Sequence, residues 1–383
     1  MLPYSTQWID SSDIKAVIKV LKSNWLTTGP TIEKFEKKFA DFVGAKYAVA
    51  VSNGTTALHL AIQVLNIKPL SQGITTPNTF IATANALLYN RLNPIFADIN
   101  KKTYNINPIE IENKISRKTR LIIPVHFAGQ PAEMEIINRL TVNRNIYIIE
   151  DAAHALGSKY GNGKRVGSCC YSDMTVFSFH PVKTITCGEG GMITTNNYSF
   201  CNRLKILRNH GIVKEEKYLK QNPGPWYYEM QELGENFRLT DIQAALGISQ
   251  LEKIDKFIKK RREIVSIYNR AFQNIPWLTT QYEVEGSYSV YHLYVICLDF
   301  KFIRKSRKTV MKQLLENGIG TQVHYLPVHL HPYYQKKFHY QKGDFPLAEN
   351  YYQKCLSIPL YPKMSVKDTQ KVIRNIKNLV DYK

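Results

Sequence analysis

From Tyr47 to Glu150 the chain alternates short apolar runs with longer stretches of helical period, and this alternation restricts the fold more than any other feature. Residues 47–51, 73–76, 95–99, 120–125 and 146–150 read as strands, with helices over 55–65, 79–89 and 131–143 between them. The strands are apolar almost throughout, so both of their faces must be covered. An α/β fold with a mostly parallel sheet between two layers of helices is therefore expected. Upstream, Ile14, Val17, Ile18 and Leu21 form a helical stripe behind a Ser11-Ser12 cap, and Ile32, Phe35, Phe39 and Phe42 form another. Thr240 and Gln243 make a capping box that opens one long helical pattern through Ile242, Leu246, Leu251, Ile254 and Ile258 towards Phe272. Beyond Pro276 the pattern turns to mixed α+β, with a strand over 290–298, a helix ending at Gly318, a strand near Gln322 and a last helix over 365–382. Two domains are expected, 1–255 large and α/β, 256–383 small and α+β, with the N-terminal segment free to pack on the small one.

Composition narrows the class. A chain of 383 residues, 44% hydrophobic, can bury a substantial core. No apolar run approaches the ~18 residues of a membrane span, and the N-terminus lacks the basic start and apolar block of a secretory signal, so a cytoplasmic protein is expected. Six cysteines without a C-x-x-C pair read as reduced thiols. The net charge of +20 raises the question of nucleic acid, but its runs, 259–262 on a helix and 301–308 in a predicted loop, lack aromatic interleaving and read as solvated faces. His324, His329, His331 and His339 match no metal-binding spacing, and prolines interrupt them; no metal is expected. Asn162-Gly163 reads as a hairpin turn rather than part of a phosphate loop.

In an open α/β sheet, ligands bind beyond the carboxyl ends of the strands. Three such places carry chemistry. Ser52 to Thr56 lead from a strand straight into a helix, where free N–H groups and hydroxyls can cradle a phosphate or simply cap the helix. Asp151, one residue past a strand, becomes affordable beside a cationic ring nitrogen. Lys183, delivered by an apolar run into a glycine-rich loop, can have the depressed pKa of a Schiff-base nucleophile. Phosphate cradle, ring-nitrogen carboxylate and lysine are together the three attachments that pyridoxal 5'-phosphate needs.

The segments TTGPTIEKFEKKFA, SNGTTALHLA, TTPNTFIATANALLY, EDAAHALGS, FSFHPVKTITCGEGG and GENFRLTDIQAALG resemble the DegT-type nucleotide-sugar aminotransferases over essentially the whole length. The resemblance implies a fold-type I pyridoxal-phosphate enzyme with a seven-stranded type of sheet, working as a homodimer with shared active sites. It assigns Lys183 to covalent attachment of the cofactor and Asp151 to its ring nitrogen. Gly54, Thr55 and Ser178 match phosphate contacts, Phe80 the ring stack, and His154 the neighbour of the ring hydroxyl. Asn236 and Arg238 match residues lent by the other subunit, Asn236 to the cofactor and Arg238 to the substrate. Thr28, Gly29, His324 and Tyr325 fall on the substrate side. PVHFAG, FSFHPVK, GPWYYE and QVHYLPVHLHPYY are similar to the transaminases of pseudaminic acid synthesis, which make UDP-4-amino-4,6-dideoxy-N-acetyl-β-L-altrosamine. That likeness implies L-glutamate as donor and a UDP-linked 4-keto-6-deoxy-N-acetylhexosamine as acceptor, with a bacillosamine, perosamine or dTDP-4-amino sugar type as the alternative. Thr184-Ile185-Thr186-Cys187 departs from the threonine-rich stretch expected there. A dehydratase on this scaffold would carry histidine in place of Lys183.

Overall fold

The computed structural model describes residues 1–380. Its centre is a seven-stranded sheet of order β1-β7-β6-β5-β4-β2-β3. The strands are β1 (Tyr47–Val51), β2 (Gln72–Thr75), β3 (Asn93–Phe96), β4 (Thr119–Ile123), β5 (Tyr147–Asp151), β6 (Met174–Ser178) and β7 (Gly191–Thr195). Only β7 runs against its neighbours, pairing antiparallel with β1 and β6. Around the sheet lie α1 (Ser11–Leu21), α2 (Pro30–Val43), α3 (Gly54–Gln63), α4 (Ile81–Tyr89), α5 (Pro108–Lys114), α6 (Met134–Thr141) and α7 (Tyr198–Leu207). Successive strand residues feed different apolar clusters: Ala48, Ala50 and Ile148 enter one, Val49, Val51 and Ile149 the other. That two-sided burial is why the strands read as continuous apolar runs.

A two-stranded ribbon of β8 (Ile212–Val213) and β9 (Glu229–Met230) precedes α8 (Asp241–Leu251) and α9 (Ile254–Phe272). A smaller antiparallel sheet of order β10-β11-β12 follows: β10 (Leu278–Thr280), β11 (Tyr294–Leu298) and β12 (Cys355–Ile358). It is accompanied by α10 (Phe300–Ile303), α11 (Arg307–Glu316), α12 (Pro332–Phe338), α13 (Pro346–Lys354) and α14 (Val366–Lys377). The N-terminus does reach this part, with Leu2 N–H on the Gly318 carbonyl and Gly320 N–H on the Leu2 carbonyl. The first half of α9 joins the core of the large sheet and its second half that of the small one.

Several expectations need correction. The helix from Thr240 is two helices, because the backbone turns at Lys253 (φ −106°, ψ 1°), whose ammonium reaches Asp13 at 2.5 Å and Asp10 at 2.9 Å. The strand expected over 290–298 begins only at Tyr294, since Tyr291 takes a φ of +47°. The basic run 301–308 is not a loop; it forms most of α10 and opens α11 behind a Ser306 cap. Gln322 makes a single bridge to Ser357 rather than a strand. The last helix ends at Lys377, and Tyr382 lies outside the described residues. The 162–163 turn holds, with Gly163 at φ +79° closing a Lys159–Arg165 bridge.

Helix α1 is the instructive case. Its cap is Asp10, paired reciprocally with Asp13, not the serines. Asp13, 1% exposed, accepts from Ser249 Oγ (2.7 Å), Gln250 Nε2 (2.9 Å) and Lys253 Nζ, so a polar network docks the helix on α8. The apolar residues Ile14, Ile18 and Leu21 are left 54%, 42% and 54% exposed. Asp13→Ala leaves Lys253 with Asp10 alone and removes the acceptor of the buried Ser249 hydroxyl and one acceptor of the Gln250 amide, so urea unfolding should show a loss of about 2 kcal/mol.

Candidate active site

The carboxyl ends of β1, β5 and β6 open into one cavity of about 820 Å³. Next to β1, Asn53 caps α3: its Oδ1 accepts from Thr56 N, while the first-turn N–H groups of Gly54 and Thr55 have no acceptor within the helix. The chain is compressed here. A Cβ on Gly54 would stand 2.9 Å from Ser178 Cβ, and one on Gly191 would stand 2.3 Å from the Asn53 carbonyl oxygen. Glycine at both positions lets β6, β7 and the α3 terminus converge, which puts the Ser178 hydroxyl beside free N–H groups in an anion cradle.

Asp151 ends β5, 6% exposed, and its carboxylate accepts from Thr83 Oγ1 at 2.7 Å and from Ala153 N–H at 3.1 Å. Its neighbour Glu150 points to the opposite face, bonded to His126, Tyr160, Ser172 and Thr175. Strand pleating thus separates a structural carboxylate from one offered to the cavity. Lys183 sits in the turn after β6, its N–H bonded to the His180 carbonyl. Burial lowers its ammonium to about 8, against the opposing pull of Asp151. His154 and His324 are likewise pushed down by burial and by Lys183, His324 to about 3.

Phe80, at the N-cap of α4, is 58% exposed over the cavity mouth, with its ring 6.2 Å from that of Tyr325. Gly54, Thr55, Phe80, Asp151, His154, Ser178, Lys183, His324 and Tyr325 therefore share one cavity. The other four expected residues do not line it. Gly29 caps α2 and donates to Asp241 at 2.7 Å; Thr28 beside it is exposed. Asn236 bridges Asn209, and Arg238 donates to Asn209 Oδ1 at 2.7 Å. Sequence reasoning missed Thr83, Tyr4, Glu189 and His292 on the cavity wall. Only Thr83 left a signal, as a hydroxyl four residues after Thr79 in a mostly apolar helical run.

A cavity with an anion cradle at one end, a hydroxyl-bonded carboxylate at the other and a low-pKa amine between fits a phosphorylated pyridine aldehyde. The neutral amine is the nucleophile towards an aldehyde. Cofactor uptake by stripped enzyme should accordingly quicken as pH rises through about 8 and then level off, checked by stopped-flow absorbance. A rate still climbing steeply towards the ordinary lysine range would contradict it.

Fold and cavity together define a fold-type I, pyridoxal-phosphate-dependent aminotransferase. Residues 7–377 match the DegT/DnrJ/EryC1/StrS aminotransferase family, and the chain belongs to it. It is 42% identical to the spore coat polysaccharide biosynthesis protein SpsC of Bacillus subtilis, across 99% of this chain and 97% of that one. It is 40% identical to the UDP-4-amino-4,6-dideoxy-N-acetyl-β-L-altrosamine transaminase of Campylobacter jejuni, across 97% and 95%. Among solved structures it resembles Helicobacter pylori PseC, an aminotransferase of pseudaminic acid biosynthesis, with TM-score 0.91, 33% identity and coverage of 99% and 98%. The protein is a sugar aminotransferase, taking an amino donor and a keto nucleotide sugar. No helix among the described residues is long and apolar enough to cross a membrane.

Proposed function

We propose that the enzyme moves the amino group of L-glutamate to C4 of a UDP-linked 4-keto-6-deoxy-N-acetylhexosamine, supplying a UDP-4-amino-4,6-dideoxy sugar for glycans of the pseudaminic acid type. What carries this reading is that sequence and structure comparisons reach enzymes of the same biosynthesis over nearly the whole chain. Bound pyridoxal phosphate supplies the electron sink for the bond that breaks at the donor Cα. Gly54, Thr55 and Ser178 would hold its phosphate, Asp151 would pair with its ring nitrogen, and Phe80 would cover its ring. Lys183 Nζ accepts the Cα proton of glutamate and, in the second half-reaction, returns a proton to the sugar C4. Incubation with glutamate and a panel of 4-keto nucleotide sugars tests the reading: preferred amination of the UDP-linked N-acetyl sugar supports it. The likeness to a spore coat polysaccharide protein favours a second reading, a different nucleotide sugar; preference for a dTDP- or GDP-linked acceptor would establish that instead.

The reading includes a homodimer with shared sites. Its support is the apolar face of Ile14, Ile18, Leu21 and Trp25, exposed within this chain, together with Asn236 and Arg238 lying outside their own cavity. Lys183→Ala and Asn236→Ala, each inactive alone, should recover roughly a quarter of wild-type activity when mixed through unfolding and reassembly, because one site of each mixed dimer carries both lesions and the other none. No recovery would place Asn236 in its own chain's site.

A further inference from the structure

Three histidines are buried in the cavity wall: His154, His292 and His324, at 6%, 1% and 7% exposure. The rings of His154 and His292 lie 4.4 Å apart at 37°. Nδ1 of His154 accepts from the backbone N–H of Ala128 at 3.3 Å. A peptide N–H can only donate, so a neutral His154 carries its hydrogen on Nε2. That nitrogen is 3.1 Å from Tyr325 Oη. The tyrosine oxygen is then an acceptor towards His154, and its own hydrogen is left for another partner in the cavity that Tyr325 lines.

The place of His292 follows from what surrounds it. From α9, Arg261, itself 1% exposed, donates from Nη1 to the His292 carbonyl at 3.0 Å. From the loops after β5 and β6 come His154 and Lys183, and from the segment before α12 comes His324. Burial first, then these basic groups, disfavour the charged form of His292, and none of the described residues acting on it is a carboxylate. Its Nδ1 is buried without a hydrogen-bond partner among the described residues, so the ring meets His154 by packing rather than by a hydrogen bond from that atom.

We propose that His292 is a positioning residue: packed against the His154 ring, it keeps Nδ1 of His154 on the Ala128 N–H, so that His154 stays in the Nε2–H tautomer and Tyr325 becomes a hydrogen-bond donor to an oxygen of the molecule in the cavity. The inference rests on this cavity being the active site, not on which sugar is aminated.

The test uses cofactor-loaded enzyme with ¹⁵N-labelled histidine, the His154 signals being assigned by their loss in His154→Gln. In the wild type, His154 should show unprotonated Nδ1 and protonated Nε2, unchanged from about pH 5 to 8. In His292→Ala it should titrate or mix tautomers within that window, and His292→Phe, which keeps a ring face, should restore the wild-type pattern. A wild-type His154 that titrates or is protonated on Nδ1 overturns the proposal, as does a folded His292→Ala with an unchanged pattern. If His292→Ala does not fold, His292→Phe decides, because loss of the tautomer there is equally fatal. Tyr325→Phe locates the acceptor. A shift in the pH at which the bound cofactor's absorbance changes identifies the cofactor's oxygen, whereas a fall in kcat confined to the sugar half-reaction identifies the sugar's keto oxygen. Absence of both changes overturns the donor role. An enzyme with the expected histidine spectrum but no activity on the sugar panel would leave this inference standing and remove only the proposed substrate.

Discussion

Lys183→Ala is expected to abolish turnover, by about 10⁴-fold or more, in a protein that keeps its fold. One side chain serves as both the attachment point for the cofactor and the proton carrier, and proton transfer alone is worth about 10²–10⁴-fold. The fold should survive because the Lys183 side chain makes no hydrogen bond to the described residues and its ammonium is disfavoured by burial. Steady-state assays with far-UV circular dichroism on the same sample check both halves. Borohydride reduction of loaded wild-type enzyme, followed by peptide mapping, should place the cofactor on Lys183. A label on any other lysine would transfer the role.

Asp151→Asn should separate chemistry from binding. The amide oxygen can still accept from Thr83 and from the Ala153 N–H, so the local structure and the anion cradle at Gly54, Thr55 and Ser178 persist. A neutral amide cannot pair with a cationic ring nitrogen, and losing one preorganised electrostatic partner costs roughly 10²–10³-fold in rate. Single-turnover reaction with glutamate should slow on that scale while cofactor content at saturation stays near one per chain. An unslowed reaction would reduce Asp151 to capping the turn after β5.

The parts of the site that were readable in advance are those in which chemistry and chain position coincide. Asp151 is the last residue of β5, and Gly54, Thr55 and Lys183 lie within a few residues of the ends of β1 and β6, strands whose carboxyl ends the sheet brings to one edge. Thr83 was missed because its partner is 68 residues away. His292 was missed because it lies in a run that reads as strand, whereas the strand begins at Tyr294 and Tyr291 takes a positive φ.

The same division runs through the fold. Local pattern was enough for β1, whose limits match the apolar run 47–51, because covering both faces makes every residue of the strand apolar. It was also enough for the Thr240–Gln243 box, whose two bonds close within one turn. It was not enough for β7, a Thr-rich strand whose existence depends on antiparallel partners β1 and β6, at 140 and 13 residues' remove in register at Val51 and Ser178. Nor could periodicity orient α1. Its apolar stripe is present as read, yet it is the Asp13 side that faces the chain, because the donors that satisfy this carboxylate, Ser249, Gln250 and Lys253, stand more than 200 residues away on α8 and at the start of α9. Sequence determines which residues are apolar, charged or able to cap; which of them meet is decided by partners tens to hundreds of positions away, whose energies no local window contains.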